Sequence, residues 1–285
     1  MIRHAQIESL DLDYINKKLD QFFIEDNIDK DITTLSTQNK EKQAQAFFIA
    51  KEDLVFVGRD IIVQGLKECM VNQIQEDGAF VKKGEPIAVL SGPIQTILKK
   101  ERVILNLIQR LSGVASKTQE LAEKIKEFNI QLLDTRKTTP GLRKFEKYAV
   151  CVGGGTNHRF SLKDAVMIKD NHLIGNSDFH NSVNNAFDHN PDKDIQIEVD
   201  TKEQLEQALT TKATSVLLDN FDPKVLPETI EYIRSHEKGK SIYIELSGGI
   251  NEENLHSFCV KGVDGISMGA LTHNIKSKDI SLDLK

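Results

Sequence analysis

Beyond Gly113 the sequence becomes an alternation that few folds accommodate: six short apolar or β-branched runs separated by stretches of helical periodicity. The runs are 131–133, 165–168, 195–199, 215–218, 242–246 and 265–267. The helical patterns are 116–128, 142–150, 177–188, 202–209, 225–236 and 254–259. Strands this short, most of them followed by a helix, imply right-handed βαβ units around a parallel sheet. No G-x-G-x-x-G follows the first strand, so six such units favour a barrel over a dinucleotide-binding sheet.

In an α/β barrel the active site collects at the C-terminal ends of the strands. Those ends read Asp134-Thr135-Arg136-Lys137, Lys169-Asp170-Asn171-His172, Glu198, Asp219-Asn220, Ser247-Gly248-Gly249 and Met268-Gly269. All six carry polar, chargeable or glycine residues. Arg136, Lys137, His158, Arg159 and Lys169 suit a ligand with more than one carboxylate or phosphate, since arginine grips an anion bidentately and lysine acts as a point charge. The glycine ends offer bare backbone N–H groups of the kind that cradle phosphate where a loop enters a helix. Glu198 and Asp219 are the opposing acids, fit for ribose hydroxyls or a hydrated Mg²⁺ that bridges phosphates, with an internal ion pair to a lysine as the plainer reading of Glu198. Together these residue types point to transfer involving a phosphorylated sugar.

The stretch 134–172 holds eight Lys and Arg against four acids, in a chain whose formal net charge is −6. Cations gathered inside an acidic chain point to a small polyanion and away from nucleic acid, which calls for a broadly basic surface. No run has the length of a membrane span, and MIRHAQIESL lacks the apolar core of a signal peptide. Three widely separated cysteines with no C-x-x-C pair argue against a disulfide framework or a zinc site, so the expected compartment is the cytoplasm.

Ahead of the alternation, apolar spacing over 9–26 predicts an amphipathic helix, followed by a polar loop over 29–39. Strands are expected at 44–50 and 54–57, a helix over 59–70, and a small β-hairpin over 77–92 punctuated by Gly84 and Pro86. Lys82 and Lys83 precede that turn without the motif of a lipoyl or biotinyl carrier, so the hairpin reads as scaffold. Pro93 opens a long helix with Ile94, Ile97, Leu98, Ile104, Leu105, Ile108 and Leu111 on one stripe, and Arg102 lies on its flank.

DITT (31–34), ERVILNLIQRLSG (101–113), DTRKTTPGLRKFEKYAV (134–150), GGGTNHR (153–159) and MIKDNH (167–172) together resemble the quinolinate phosphoribosyltransferase family, as do LLDNF (217–221), LSGGI (246–250) and GALTH (269–273). The match is weakest just before Asp31, where the family often has glycine-rich sequence and this chain has DNIDK.

The resemblance implies a fold: an N-terminal α/β sandwich domain over 1–113, joined by the tail 274–285, and an incomplete α/β barrel over 114–273. It implies that quinolinate and phosphoribosyl pyrophosphate yield nicotinate mononucleotide, pyrophosphate and CO₂, with Mg²⁺ bound alongside the sugar substrate, in NAD biosynthesis. Arg136, His158, Arg159 and Lys169 would bind the quinolinate carboxylates, with Thr135 beside them. Lys137 would lie beside the pyrophosphate, and Glu198 and Asp219 at the ribose and metal. Ser247, Gly248, Gly249 and Gly269 would hold the 5′-phosphate with His273 nearby, and Arg102 would complete the pocket of a neighbouring subunit in a homodimer. Three alternatives stand beside this. One is the molybdenum-transport-associated homologue of the same fold; another is a barrel aldolase with Lys137 or Lys169 as Schiff-base lysine. The third is a catalytically dead sensor of phosphoribosyl pyrophosphate.

Overall fold

A computed structural model describes residues 3–173 and 179–285. In chain order the elements begin with α1 (Leu12–Glu25), α2 (Ile32–Thr37), β1 (Gln43–Ala50), β2 (Leu54–Val55), α3 (Arg59–Gly65), β3 (Met70–Ile74), β4 (Phe80–Val81), β5 (Pro86–Pro93) and α4 (Ile94–Ile125). The alternating part follows with β6 (Gln131–Leu133), α5 (Arg143–Val152), β7 (Val166–Ile168), α6 (Asp170–Leu173), α7 (Phe179–His189), β8 (Ile195–Val199), α8 (Lys202–Leu209) and β9 (Ser215–Asp219). It closes with α9 (Leu226–Ser235), β10 (Tyr243–Ser247), β11 (Gly265–Ser267), α10 (Ala270–His273) and β12 (Ile280–Leu284). The helix expected over 177–188 is found as α7; positions 177 and 178 lie outside the described residues. The pattern at 254–259 is a single 3₁₀ turn, Leu255–Phe258.

Two units are distinguished. One gathers Ile7–Glu120, Pro140–Gly154 and Asn274–Lys285; the other gathers the N-terminal segment to Gln6, Leu121–Thr139 and Gly155–His273. The position between 113 and 114, where the domain boundary is expected, lies inside α4, which runs on through Gly113. Its missing side chain serves contact instead: a Cβ there would meet the Lys276 carbonyl oxygen at 2.5 Å. Residues 140–154, expected with the barrel, group with the first unit. There Glu146, fully buried, accepts from Arg110 Nε at 2.7 Å, and Tyr148 Oη donates to Asp77 at 2.7 Å.

The first unit is built on an antiparallel sheet of order β12-β1-β5-β3. Along β1, Ala46, Phe48 and Ala50 are fully buried, the period of two that a half-buried strand requires. The hairpin expected over 77–92 does not form as such: β4 pairs with β2, while β5 pairs with β1 and β3. The loop expected over 29–39 contains α2, started by Asp31, whose Oδ1 accepts from Thr33 N at 3.1 Å and Thr34 N at 2.9 Å. Just before it Asn27 stands at φ 50, a left-handed conformation that asparagine tolerates better than most side chains do.

The second unit is a single parallel sheet of order β6-β11-β10-β9-β8-β7. β6 and β7 are its two ends, and among the described residues no ladder joins them to each other, so the ring of strands stays open on that side: an incomplete barrel. One alternating set (Ile195, Ile197, Val199, Val216, Leu218, Ile244, Leu246) is at most 1% exposed, as are Leu205, Ala208, Leu226, Ile230 and Ile233 of α8 and α9. These apolar faces pack strand against helix. The opposite set (Gln196, Glu198, Ser215, Leu217, Asp219, Glu245, Ser247) is mixed and mostly polar, which is unusual for a barrel interior. It points to a ligand or a buried hydrogen-bond network.

Candidate active site

A cavity of about 780 Å³ opens at the C-terminal ends of the parallel strands. Thr135, Arg136, Lys137, His158, Arg159, Lys169, Glu198, Asp219, Ser247, Gly248, Gly249, Gly269 and His273 all line it. Arg102 does not; it is exposed on α4 in the other unit.

Strand order sorts the chemistry. The cations come from the two unpaired edges, Arg136 and Lys137 after β6 and Lys169 after β7, and from the β6–β7 connection that carries His158 and Arg159. The neighbouring strands β11 and β10 supply the glycines, and the next pair, β9 and β8, supply Asp219 and Glu198.

Asp134, fully buried, joins the two cationic stretches: its Oδ1 accepts from His158 N and its Oδ2 from Asn157 Nδ2, both at 2.8 Å. Thr135 Oγ1 accepts from Lys137 N at 3.0 Å, and Thr272 Oγ1 donates to Lys137 O at 2.6 Å, so the backbone of this strand end is pinned. Arg159 is 7% exposed and donates to Ala165 O at 2.9 Å. Burial lowers its pKa and the charge of Arg136 lowers it further. Two guanidiniums close enough to oppose one another's charge form a site that gains from an incoming anion.

Across the cavity Lys169 Nζ is paired with Glu198 Oε2. Burial raises the Glu198 pKa, and the lysine only partly offsets it. Asp219 accepts from Ser247 Oγ and, at 2.7 Å, from Asn220 Nδ2. Among the described residues no three His, Cys, Asp or Glu side chains converge to hold a metal. Glu198 and Asp219 are hard oxygen donors of the kind Mg²⁺ takes, and such an ion would draw its other ligands from water and phosphate oxygens. Gly248 stands at φ +93, and a Cβ there would run into the side chain and amide of Asn220, so the 247–249 turn needs glycine for conformation and for approach. A Cβ on Gly269 would meet His273 Cδ2 and Lys137 Cδ at 2.9 Å, so the bare backbone lets both side chains close over it.

The cavity also holds residues not singled out from sequence, above all Glu245. It is 2% exposed, lies on β10 two residues before Ser247 and therefore on the same face, and accepts from Gln196 Nε2 at 2.8 Å. Burial works to raise its pKa, yet the facing His158, 3.3 Å away, and the hydrogen bond from Gln196 prevail and hold it down at about 2. An acid in the middle of the apolar run 242–246 was the available signal.

Comparison with known proteins agrees along nearly the whole chain. Models of the quinolinate phosphoribosyl transferase N-terminal and C-terminal domains match residues 31–112 and 114–283. A protein of Bacillus subtilis named as a probable carboxylating nicotinate-nucleotide pyrophosphorylase is 42% identical over 275 residues, 95% of this chain and 93% of that one. The chloroplastic carboxylating nicotinate-nucleotide pyrophosphorylase of Arabidopsis thaliana is 35% identical, covering 89% of this chain and 78% of its own length. The solved nicotinate-nucleotide pyrophosphorylase of Francisella tularensis superposes with a TM-score of 0.90 at 33% identity, over 99% of this chain and 100% of that one. Matched in both halves by family models and over almost its full length by these relatives, the chain belongs to the quinolinate phosphoribosyl transferase family.

Proposed function

We propose that this protein transfers the phosphoribosyl group of phosphoribosyl pyrophosphate to quinolinate with decarboxylation, giving nicotinate mononucleotide, pyrophosphate and CO₂ in NAD biosynthesis. The observation that carries this reading is the sorting of cations, glycine amides and carboxylates to successive strand ends around one cavity. Arg136, Arg159 and Lys169, with His158 and Thr135, match the two carboxylates of quinolinate. The backbone of 247–249 and Gly269, with His273, matches the 5′-phosphate. Lys137 matches the pyrophosphate, and Glu198 and Asp219 match the ribose hydroxyls.

Glu198 and Asp219 would also hold Mg²⁺ arriving with the sugar substrate, where the ion supplies charge neutralisation for the leaving pyrophosphate. As the bond from C1 of the ribose to pyrophosphate breaks, C1 becomes oxocarbenium-like and negative charge grows on the leaving oxygen. Lys137 meets that charge, while the clamp on the carboxylates holds the pyridine nitrogen in line for attack on C1. Once the C1–N bond has formed, the carboxyl next to the ring nitrogen leaves as CO₂. The electron pair left on the ring carbon is stabilised by the adjacent pyridinium, and that carbon then takes up a proton. Nothing in this sequence needs an organic electron sink.

The active assembly we propose is a homodimer in which Arg102 reaches the neighbouring subunit's pocket. Support for it comes from the family resemblance of 101–113 and from the exposure of Arg102. The cytoplasmic location we propose is supported by the cysteine pattern and by the absence of any run with the length of a membrane span. The deciding experiment is turnover with quinolinate set against nicotinate. A missing carboxylate would leave desolvated cations unmatched at a cost of about 1–3 kcal/mol, so kcat/KM for quinolinate should be higher by about tenfold or more. Comparable values for the two acids would overturn the reading. The same assay excludes the transport-associated homologue and the sensor, which need no quinolinate turnover.

A further inference from the structure

Besides Glu198 and Asp219, the cavity wall carries a third carboxylate, the buried Glu245, and its placement needs an explanation. At this level the barrel interior is filled by Gln196, Ser215, Glu245 and Ser267, all at most 7% exposed, where branched apolar side chains would pack as well. Gln196 Nε2 donates to Ser215 Oγ at 3.1 Å and to Glu245 Oε2 at 2.8 Å. A buried polar network adds little stability over an apolar core, but it fixes one arrangement of the groups it touches.

The group fixed here is His158. Its Nε2 lies 3.3 Å from Glu245 Oε2, and its Nδ1 accepts the backbone N–H of Arg159 at 2.8 Å. The second bond makes Nδ1 an acceptor, so the ring proton sits on Nε2, toward the carboxylate. The imidazole thus links the barrel floor to the backbone of Arg159. Behind it the His4 ring packs with centroids 4.6 Å apart, and Gln6 holds Asn157 twice, accepting from its N at 2.7 Å and donating to its O at 3.2 Å. The negative charge of Glu245 also opposes the mutual repulsion of the Arg136 and Arg159 guanidiniums.

We propose that Glu245 is a positioning residue for the dicarboxylate end of the cavity, acting through His158 to hold Arg159 in place before the ligand arrives. The proposal rests on the quinolinate reading above. Holding the cations ready in advance lowers the reorganisation that binding would otherwise require. The role is confined to one ligand, because the glycine turn after β10 and the carboxylates on β8 and β9 are held by other bonds.

The test is to measure dissociation constants for quinolinate and for phosphoribosyl pyrophosphate separately, together with thermal stability, in Glu245→Ala, Glu245→Gln and Gln6→Ala. Glu245→Ala should weaken quinolinate binding on the order of tenfold or more and leave phosphoribosyl pyrophosphate within about twofold. Glu245→Gln, which keeps an acceptor for His158 Nε2, should recover part of the loss. Gln6→Ala, remote from the floor and acting on the same loop, should reproduce a smaller quinolinate-only effect even if Glu245→Ala folds poorly. Equal weakening of both ligands, or a loss of stability with the quinolinate constant unchanged, overturns the proposal. If the unaltered protein does not turn over quinolinate, the functional reading itself fails; if it does and the variants bind quinolinate normally, only the positioning role fails.

Discussion

Gly248 and Gly249 are neighbours with different constraints. Gly248 at φ +93 abuts Asn220, whereas Gly249 at φ +60 has nothing within 4 Å of an added Cβ. Gly248→Ala should therefore cost about 1–2 kcal/mol in thermal unfolding and weaken phosphoribosyl pyrophosphate binding, with Gly249→Ala milder on both counts. Lys137→Ala should lower kcat more than it raises the KM for quinolinate, because the charge this lysine meets grows in the transition state; steady-state kinetics on both substrates separate the two. His4 gives a stability prediction with a defined sign. Burial first, then the neighbouring His158 and Arg3, lower its pKa from 6.5 to about 4. The unfolded chain therefore binds the extra proton between those values, so His4 contributes stability above pH 6.5 that is lost as pH falls toward 4. His4→Phe, which keeps a ring against His158, should flatten the stability profile in that window, as denaturant titrations at several pH values would reveal. At this scale the sequence was readable where chemistry follows position along a strand, as with Arg136, Lys169 and Asp219. The Asp134–His158 and Glu245–His158 links were not readable, because they join residues brought together only when the barrel is built.

Element by element, periodicity located the barrel strands closely and misjudged where the chain changes partners. Gly113 lies inside α4 although glycine disfavours helix interiors, by about 1 kcal/mol against alanine. Contact with 275–277 outweighs that propensity, and α4 runs on through it. The 77–92 segment looked like one hairpin because two apolar runs flank a Gly-containing turn. Its strands instead join different sheets, and local sequence carries no information about that choice. The tail strand β12 pairs with β1 from Ala46↔Leu284 to Ala50↔Ile280 and so covers one edge of the first sheet. Removing 280–285 would leave β1, with Phe47 and Phe48, as a long unpaired edge. The shortened protein should melt earlier and aggregate, which light scattering during a thermal ramp would detect.

For the whole molecule, the decisive measurement concerns sharing of sites between chains. If the proposed dimer shares its sites, Arg102→Ala and Lys137→Ala subunits, each nearly inactive alone, should form heterodimers with activity toward half that of an unaltered dimer, since one pocket receives both lesions and the other neither. If the subunits exchange and the mixture stays inactive, Arg102 acts within its own chain. The proposed assembly has no support in the sequence beyond the family resemblance, because an arginine on a helix flank has the same local signature whether it meets solvent or a neighbour. The open ring of strands bears on folding as well. β6 bridges Thr156 nearby, but its one strand ladder among the described residues is with β11, so Gln131 must wait for Gly265, and β1 likewise waits for β12, far later in the chain. Closures this distant in sequence raise contact order and slow the search for the native state. During synthesis neither sheet can be completed until β11 and β12 have left the ribosome, and nascent chains cut short of 267 lack the strand that pairs with β6 ahead of Arg136. Pulse-labelled hydrogen exchange during refolding should find β6 amides protected no sooner than those of β11.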